Sequence, residues 1–172
     1  GNFAVTTTSG PGLSLKSDED WCIELEYDIA HDFQAYNAYG SCLLASASPL
    51  KDEYYNEFQV YLKDDRSLVI KVNDQYDTFR FWHTQDHFTH IKVVITYSQN
   101  NVTLDVYNSL GEKESLPVKN VTMKDITSLY SALPGSGATI TNLSTYKVET
   151  MTWKGHEIDA SKDEWYILPS SN

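Results

Sequence analysis

The chain has 172 residues, of which 13 are basic and 24 acidic, for a net charge of −11 with the histidines neutral; the isoelectric point is near 4.7. That length predicts one domain over residues 1–172 with a sizeable apolar core. The charge argues against nucleic acid or an anionic membrane as partner, since both are polyanions. No run approaches the roughly 20 apolar residues that span a bilayer, and no signal-peptide pattern opens the chain, so a soluble protein without membrane insertion is expected.

In chain order, Thr6 to Gly12 is a small-residue break, read as a loop. Ile23, Leu25, Tyr27 and Ile29 then alternate with Glu24, Glu26 and Asp28, the period-2 pattern of a strand with one face on a core. Phe58, Val60 and Leu62 alternate with Glu57, Gln59 and Tyr61. Asp64-Asp65-Arg66 supplies a polar turn into Leu68, Ile70 and Val72, which predicts a hairpin. Phe79 and Phe81 fall in one phase, Thr78, Arg80 and Trp82 in the other. A second hairpin runs from Ile91, Val93, Ile95 and Tyr97 through Ser98-Gln99-Asn100-Asn101 into Val102, Leu104 and Val106.

The one helical pattern is short: Met123 to Tyr130, with Thr122 as N-cap and Asp125 at its third position. Pro134 to Gly137 is a second small-residue break, and Trp165 to Leu168 a short apolar run in a polar tail that reads as a last docked strand. Many short strands at turn spacing predict an all-β antiparallel sandwich of the jelly-roll kind.

Cys22 and Cys42 allow one disulfide or two buried thiols, and sequence does not choose between them. Asn101-Val102-Thr103, Asn120-Val121-Thr122 and Asn142-Leu143-Ser144 match the N-glycosylation pattern, which is short enough to arise by chance. The aromatic content, 4 Trp, 12 Tyr and 6 Phe, suits strands and sugar-contacting surfaces alike.

Four segments carry a family resemblance: Asp20 to Tyr27, Phe88 to Val93, Leu104 to Asn108 and Thr139 to Val148. In this order they resemble the early strand, the Trp-His-His-Val-Ala-Val segment, the Leu-Tyr-Val-Asn-Gly strand and turn, and the closing strand of the concanavalin A-like lectin and glucanase superfamily, which includes laminin G-like domains. They span roughly residues 13 to 150. Phe88 stands where that family has Trp, Thr89 where it has the first His, and Asn108-Ser109-Leu110-Gly111 replaces the Asn-Gly turn. The resemblance implies a concanavalin A-like sandwich and a choice among sugar binding, protein binding and glycan hydrolysis that fold alone does not make.

Glu24-x-Glu26-x-Asp28 is the arrangement closest to an active site. Retaining β-glucanases of the superfamily carry Glu-x-Asp-x-Glu on one strand, with two carboxylates about 5 Å apart. By position Glu24 corresponds to their nucleophile and Asp28 to their acid/base. Asp28 is one methylene too short to place its proton, so a solvated strand face is expected and no catalytic residue is assigned. His83 and His87 have a spacing that suits a metal only on a helix, and Thr84-Gln85-Asp86 gives no helical support; His31, His90 and His156 stand apart. Asp18-Glu19-Asp20, and Asp74 with Asp77, offer oxygen ligands for calcium, but the EF-hand spacing is missing and solvated acid is expected, with no cofactor.

Trp82 is singled out by its phase, opposite to Phe79 and Phe81. An indole on an exposed sheet face stacks on a pyranose ring while Arg80, Gln59 or Asp105 hydrogen-bond the hydroxyls, with Tyr61 and Tyr107 expected on the same face. The sequence therefore reads as a noncatalytic, lectin-like carbohydrate-binding domain, not an enzyme. It is expected outside the cell or on its surface, as in a domain cut from a larger bacterial surface protein, with glycan as partner. Protein adhesion or scaffolding of the laminin G-like type is the alternative, and glycan hydrolysis the third.

Overall fold

The computed structural model describes residues 4–9, 13–35, 40–46, 57–72, 75–79, 89–118, 121–131, 137–149, 152–157 and 164–169. Its strands are β1 (Ala4–Ser9), β2 (Trp21–Ile29), β3 (Ser41–Ala45), β4 (Phe58–Leu62), β5 (Leu68–Val72), β6 (Gln75–Phe79), β7 (His90–Ser98), β8 (Asn101–Tyr107), β9 (Lys113–Val118), β10 (Ser128–Ser131), β11 (Ala138–Glu149), β12 (Thr152–Glu157) and β13 (Glu164–Pro169). They form two antiparallel sheets, one of seven strands ordered β13-β1-β10-β3-β4-β5-β6 and one of six ordered β12-β11-β2-β7-β8-β9. The protein is an all-β sandwich.

Alternation decides which residues enter the space between the sheets. Along β7 every second side chain, Ile91, Val93, Ile95 and Tyr97, is buried, and the intervening ones are half-buried. Ile23, Leu25 and Tyr27 from β2 meet Phe58, Val60 and Leu62 from β4 and Leu68, Ile70 and Val72 from β5 in one cluster. Trp21 stacks on Tyr97 at 5.2 Å between centroids and reaches across to Phe58 at 6.3 Å, tying the two sheets together. Each such fully buried large side chain contributes about 1.5–3 kcal/mol.

Both predicted hairpins form. The β7–β8 turn has Gln99 at φ 49° and Asn100 at φ 64°, two left-handed residues in a two-residue loop, the type I′ geometry that matches strand twist and favours Asn. In the β4–β5 loop Arg66 sits at φ 65° and its amide donates to the Lys63 carbonyl at 2.9 Å. Its guanidinium reaches the carbonyls of Ala30 and His31, so this turn also fastens the chain leaving β2.

Two expectations are corrected. Thr6 to Ser9 are not a loop but four of the six residues of β1, which pairs with β10 on one side and β13 on the other. A run of Thr and Ser has strand propensity without a hydrophobic phase, so alternation does not reveal it. Met123 to Tyr130 is not helical: Ile126 bridges Leu15 through paired backbone bonds of 2.8 and 2.9 Å, and Ser128–Ser131 is β10. Asp125, read as an N-terminal helix position, instead accepts the Ser17 amide at 2.8 Å, which holds its carboxyl below the usual range. The Trp165 to Leu168 run lies within β13, as expected. Gly137 is a turn residue at φ 92°, and the rest of the Pro134 to Gly137 break lies outside the described residues.

Candidate functional site

The alternation that fills the core sends Glu24, Glu26 and Asp28 of β2 to the outer face of the six-stranded sheet. Register then decides their neighbours. Asp28 stands opposite His90 and Glu26 opposite Lys92 on β7, while Lys92 stands opposite Tyr107 and Val94 opposite Asp105 on β8. On the other flank Asn142 of β11 stands opposite Glu26 because the register shifts between Ile140 and Asn142. The extra residue, Thr141, puts Ile140 opposite core-facing Tyr27 and Asn142 opposite outward Glu26, which an unbroken alternation forbids.

The result is a connected polar cluster. His90 Nδ1 lies 2.6 Å from Asp28 Oδ1, and its Nε2 lies 3.2 Å from Glu26 Oε1. Asn142 Nδ2 donates to Glu26 Oε2 at 3.1 Å. Lys92 Nζ lies 3.9 Å from Glu24 Oε2 and 5.8 Å from the centroid of the Tyr107 ring. Asp105 accepts the Ser115 hydroxyl. The β8–β9 turn positions the histidine: the Ser109 hydroxyl accepts the His90 amide and donates to the His90 carbonyl, both at 3.2 Å. Buried Asn108 in turn organises that corner by accepting the amides of Leu110 and Glu112 at 3.0 Å.

Hydrogen bonds that its ring donates to Asp28 and then to Glu26 push the His90 pKa above its ordinary value, while burial opposes them. The hydrogen bond from His90, with help from Asn142, holds Glu26 below its ordinary value although partial burial opposes it. The side chains of His90, Glu26 and Asp28 remain 45%, 31% and 57% exposed, so a ligand in solution reaches them.

Glu24 and Asp28 share one outward strand face with Glu26 between them, and all three carboxylates are engaged, Glu24 with Lys92, Glu26 with His90 and Asn142, and Asp28 with His90.

The residues expected to share a sugar-contacting face do not come together. Asp105 and Tyr107 lie on the outer face of the six-stranded sheet, beside the cluster. Tyr61 and Gln59 lie on β4, on the outer face of the other sheet, so Tyr61 and Tyr107 occupy opposite sides of the sandwich. Parity along a strand tells which residues leave the core but not which of two sheets they leave it from. Gln59 is moreover enclosed, at 1% exposure, with Oε1 accepting the Tyr61 hydroxyl at 2.6 Å and Nε2 unpaired. Arg80 and Trp82 lie outside the described residues, as do His83 and His87.

Cys22 and Cys42 are both buried and free, on different sheets. Burial pushes the Cys22 thiol up to about 11 and the Cys42 thiol up to about 12. Asp18 and Glu19 are exposed, and among the described residues no group of three His, Cys, Asp or Glu side chains is arranged to hold a metal ion. The sequence assigns neither His90 nor Asn142 to a binding face, reading Asn142 within an N-glycosylation pattern and His90 as a histidine that stands apart. The phase of His90 with Lys92 and Val94 marks it as outward, but its partners come from β2, about sixty residues away, which no local pattern records.

No family model matches the chain, and no curated protein matches it in sequence. Its fold, however, is shared with solved structures. Peanut lectin with a nine-residue peptide superposes with a TM-score of 0.55 at 10% identity, over 92% of this chain and 83% of that one. Domains LG4-5 of the mouse laminin alpha1 chain superpose with a TM-score of 0.55 at 14% identity, over 98% of this chain. The fold is concanavalin A-like. The HCR/D W1238A mutant superposes with a TM-score of 0.52 at 12% identity, over 85% of this chain. This concanavalin A-like chain spans 48% of the laminin chain and 40% of the HCR/D chain.

Proposed function

We propose that the chain is a noncatalytic glycan-binding module, a single domain acting outside the cell or on its surface. The observation that carries this reading is the open cluster of Glu26, Asp28, His90 and Asn142 beside the half-buried Tyr107 ring. Sugar recognition needs fixed hydrogen-bonding groups at hydroxyl spacing next to an aromatic surface that accepts the apolar face of a pyranose. An acceptor-rich face on a protein of net charge −11 favours a neutral glycan over an anionic one. The lectin and laminin likenesses support the fold on which such a face is presented.

A shallow, wet sheet face predicts weak affinity, on the order of micromolar to millimolar. The test is a glycan array followed by two substitutions. Tyr107→Ala is expected to abolish binding with the thermal transition retained, since a half-exposed residue contributes little to the core. Trp82→Ala tests the aromatic residue singled out by its phase in the sequence: loss of binding there, with Tyr107→Ala binding normally, moves the site to Trp82 and Arg80. A blank array overturns the glycan reading and leaves protein adhesion or scaffolding.

A further inference from the structure

The histidine in the cluster faces two groups that can only accept. An ionised carboxylate has no proton to donate, and a neutral imidazole has one N–H and one lone pair. Both contacts of His90, at 2.6 Å to Asp28 and 3.2 Å to Glu26, are therefore hydrogen bonds only when both ring nitrogens carry protons. When the ring loses a proton, the shorter Nδ1 contact keeps its N–H and the longer Nε2 contact becomes a lone pair against a carboxylate oxygen.

We infer that His90 is a proton-operated gate on the glycan-binding face: as imidazolium it closes Asp28 and Glu26 onto itself, and as neutral imidazole it frees Glu26 Oε1 and its own Nε2 to accept two neighbouring hydroxyls of a sugar. The inference rests on the glycan-binding reading and adds the feature recognised, a vicinal diol, and its regulation. Glu26 stays aimed because Asn142 holds its other oxygen at 3.1 Å. The two freed acceptors start 3.2 Å apart, close to the spacing of oxygens in a vicinal diol, so one hydroxyl donates to each.

The other charged or titratable groups on this face, among the described residues, are Cys22 and Glu24 on β2, Lys92 on β7, Asp105 and Tyr107 on β8, Lys113 on β9, opposite Tyr107, Tyr146 on β11, opposite Cys22, and Glu157 on β12, opposite Ser144. Lys92 is engaged with Glu24, and Asp105, which accepts the Ser115 hydroxyl, has no proton to donate, so neither replaces His90 as a donor to Glu26. The raised pKa of His90 places the gate above the ordinary histidine value of 6.5, so binding strengthens as pH rises through it. A site competent only when the ring is neutral loses about tenfold in apparent affinity one pH unit below the ring's midpoint.

The test titrates the His90 ring by nitrogen NMR while methyl glycosides of glucose, galactose and mannose are bound at pH 5, 7 and 9. The expected results are at least tenfold tighter binding at pH 9 than at pH 5, and a neutral ring protonated on Nδ1. In His90→Gln the pH dependence is lost, and in Glu26→Gln the ring's midpoint falls. Binding that changes less than twofold across this range while the ring titrates overturns the gate and leaves the glycan reading standing, as does a neutral ring protonated on Nε2. Binding to none of the three at any pH overturns the glycan reading and the gate with it.

Discussion

The outer faces of the two sheets are built by the same alternation and end in different environments. On the six-stranded sheet Glu24, Glu26 and Asp28 of β2 pair with His90 and Lys92 of β7 and stay open to water. On the seven-stranded sheet Cys42 and Ala45 are buried, Tyr61 and Tyr130 pack against them, and Gln59 is enclosed with one donor unpaired. Leaving the core is therefore not the same as reaching solvent. The first face is free to recognise a ligand, whereas the second already serves as a small packing surface.

The largest effect that separates the two faces is expected from a buried charge. Ala45→Lys places an ammonium at a position of 0% exposure and should cost about 3 kcal/mol or more. Val94→Lys, at an outward position between Glu24 and Asp105, should change stability by less than about 1 kcal/mol. Urea denaturation of both variants measures the contrast. Equal costs would erase the distinction between the faces.

A second contrast concerns polarity. Removing both partners of the Gln59–Tyr61 bond in the double variant Gln59→Leu, Tyr61→Phe also removes the unpaired Nε2. It should be neutral or stabilising by up to about 1 kcal/mol. Gln59→Ala leaves a cavity and removes the acceptor of the 2.6 Å bond from the Tyr61 hydroxyl, and should destabilise by about 1–2 kcal/mol. Differential scanning calorimetry ranks the two.

The open face should show its charges in the pH dependence of stability. The raised pKa of His90 means that its contribution is fully present below 6.5 and is lost as pH rises through the folded value. The lowered pKa of Glu26 means that its contribution is present above 4.5 and lost as pH falls through its folded value. Exposure and screening limit the histidine effect to a few tenths of a kcal/mol, about the size of a surface ion pair. The stability difference between wild type and His90→Gln, followed by urea midpoints, should therefore shrink from pH 6 to pH 9. A difference that grows over that range contradicts the assignment of both ring contacts.

The smallest effect lies in the thiols, one on each sheet. Both are buried, with Cys22 at about 11 and Cys42 at about 12, so thiolate is scarce in each at neutral pH. N-ethylmaleimide followed by mass spectrometry should show both reacting far more slowly than in urea, with Cys22 ahead of Cys42.

Much of the sandwich was legible in the residues. Period-2 patterns marked β2, β4, β5, β7 and β8, because a strand with one face on the core must alternate, and the two hairpin turns carried their own chemistry in Asp64-Asp65-Arg66 and Gln99-Asn100. Where no apolar phase existed, as in the Thr-rich β1, or where a helix-like apolar spacing fell on a bridge and a strand, as in Met123 to Tyr130, the local pattern misled. Tertiary pairing overrode a weak helical preference there.

Sequence by itself thus determined the fold class, most inward-facing residues and the outward phase of Glu24, Glu26, Asp28, Asp105 and Tyr107. Tertiary structure alone decided that β2 lies between β7 and β11, that a bulge turns Asn142 outward, and that His90 spans Asp28 and Glu26. It also decided that Tyr61 and Gln59 lie on the far side from Tyr107. The physical reason is range: alternation is set by bonds along one strand, whereas the site is assembled by hydrogen bonds between strands that the chain itself does not place side by side.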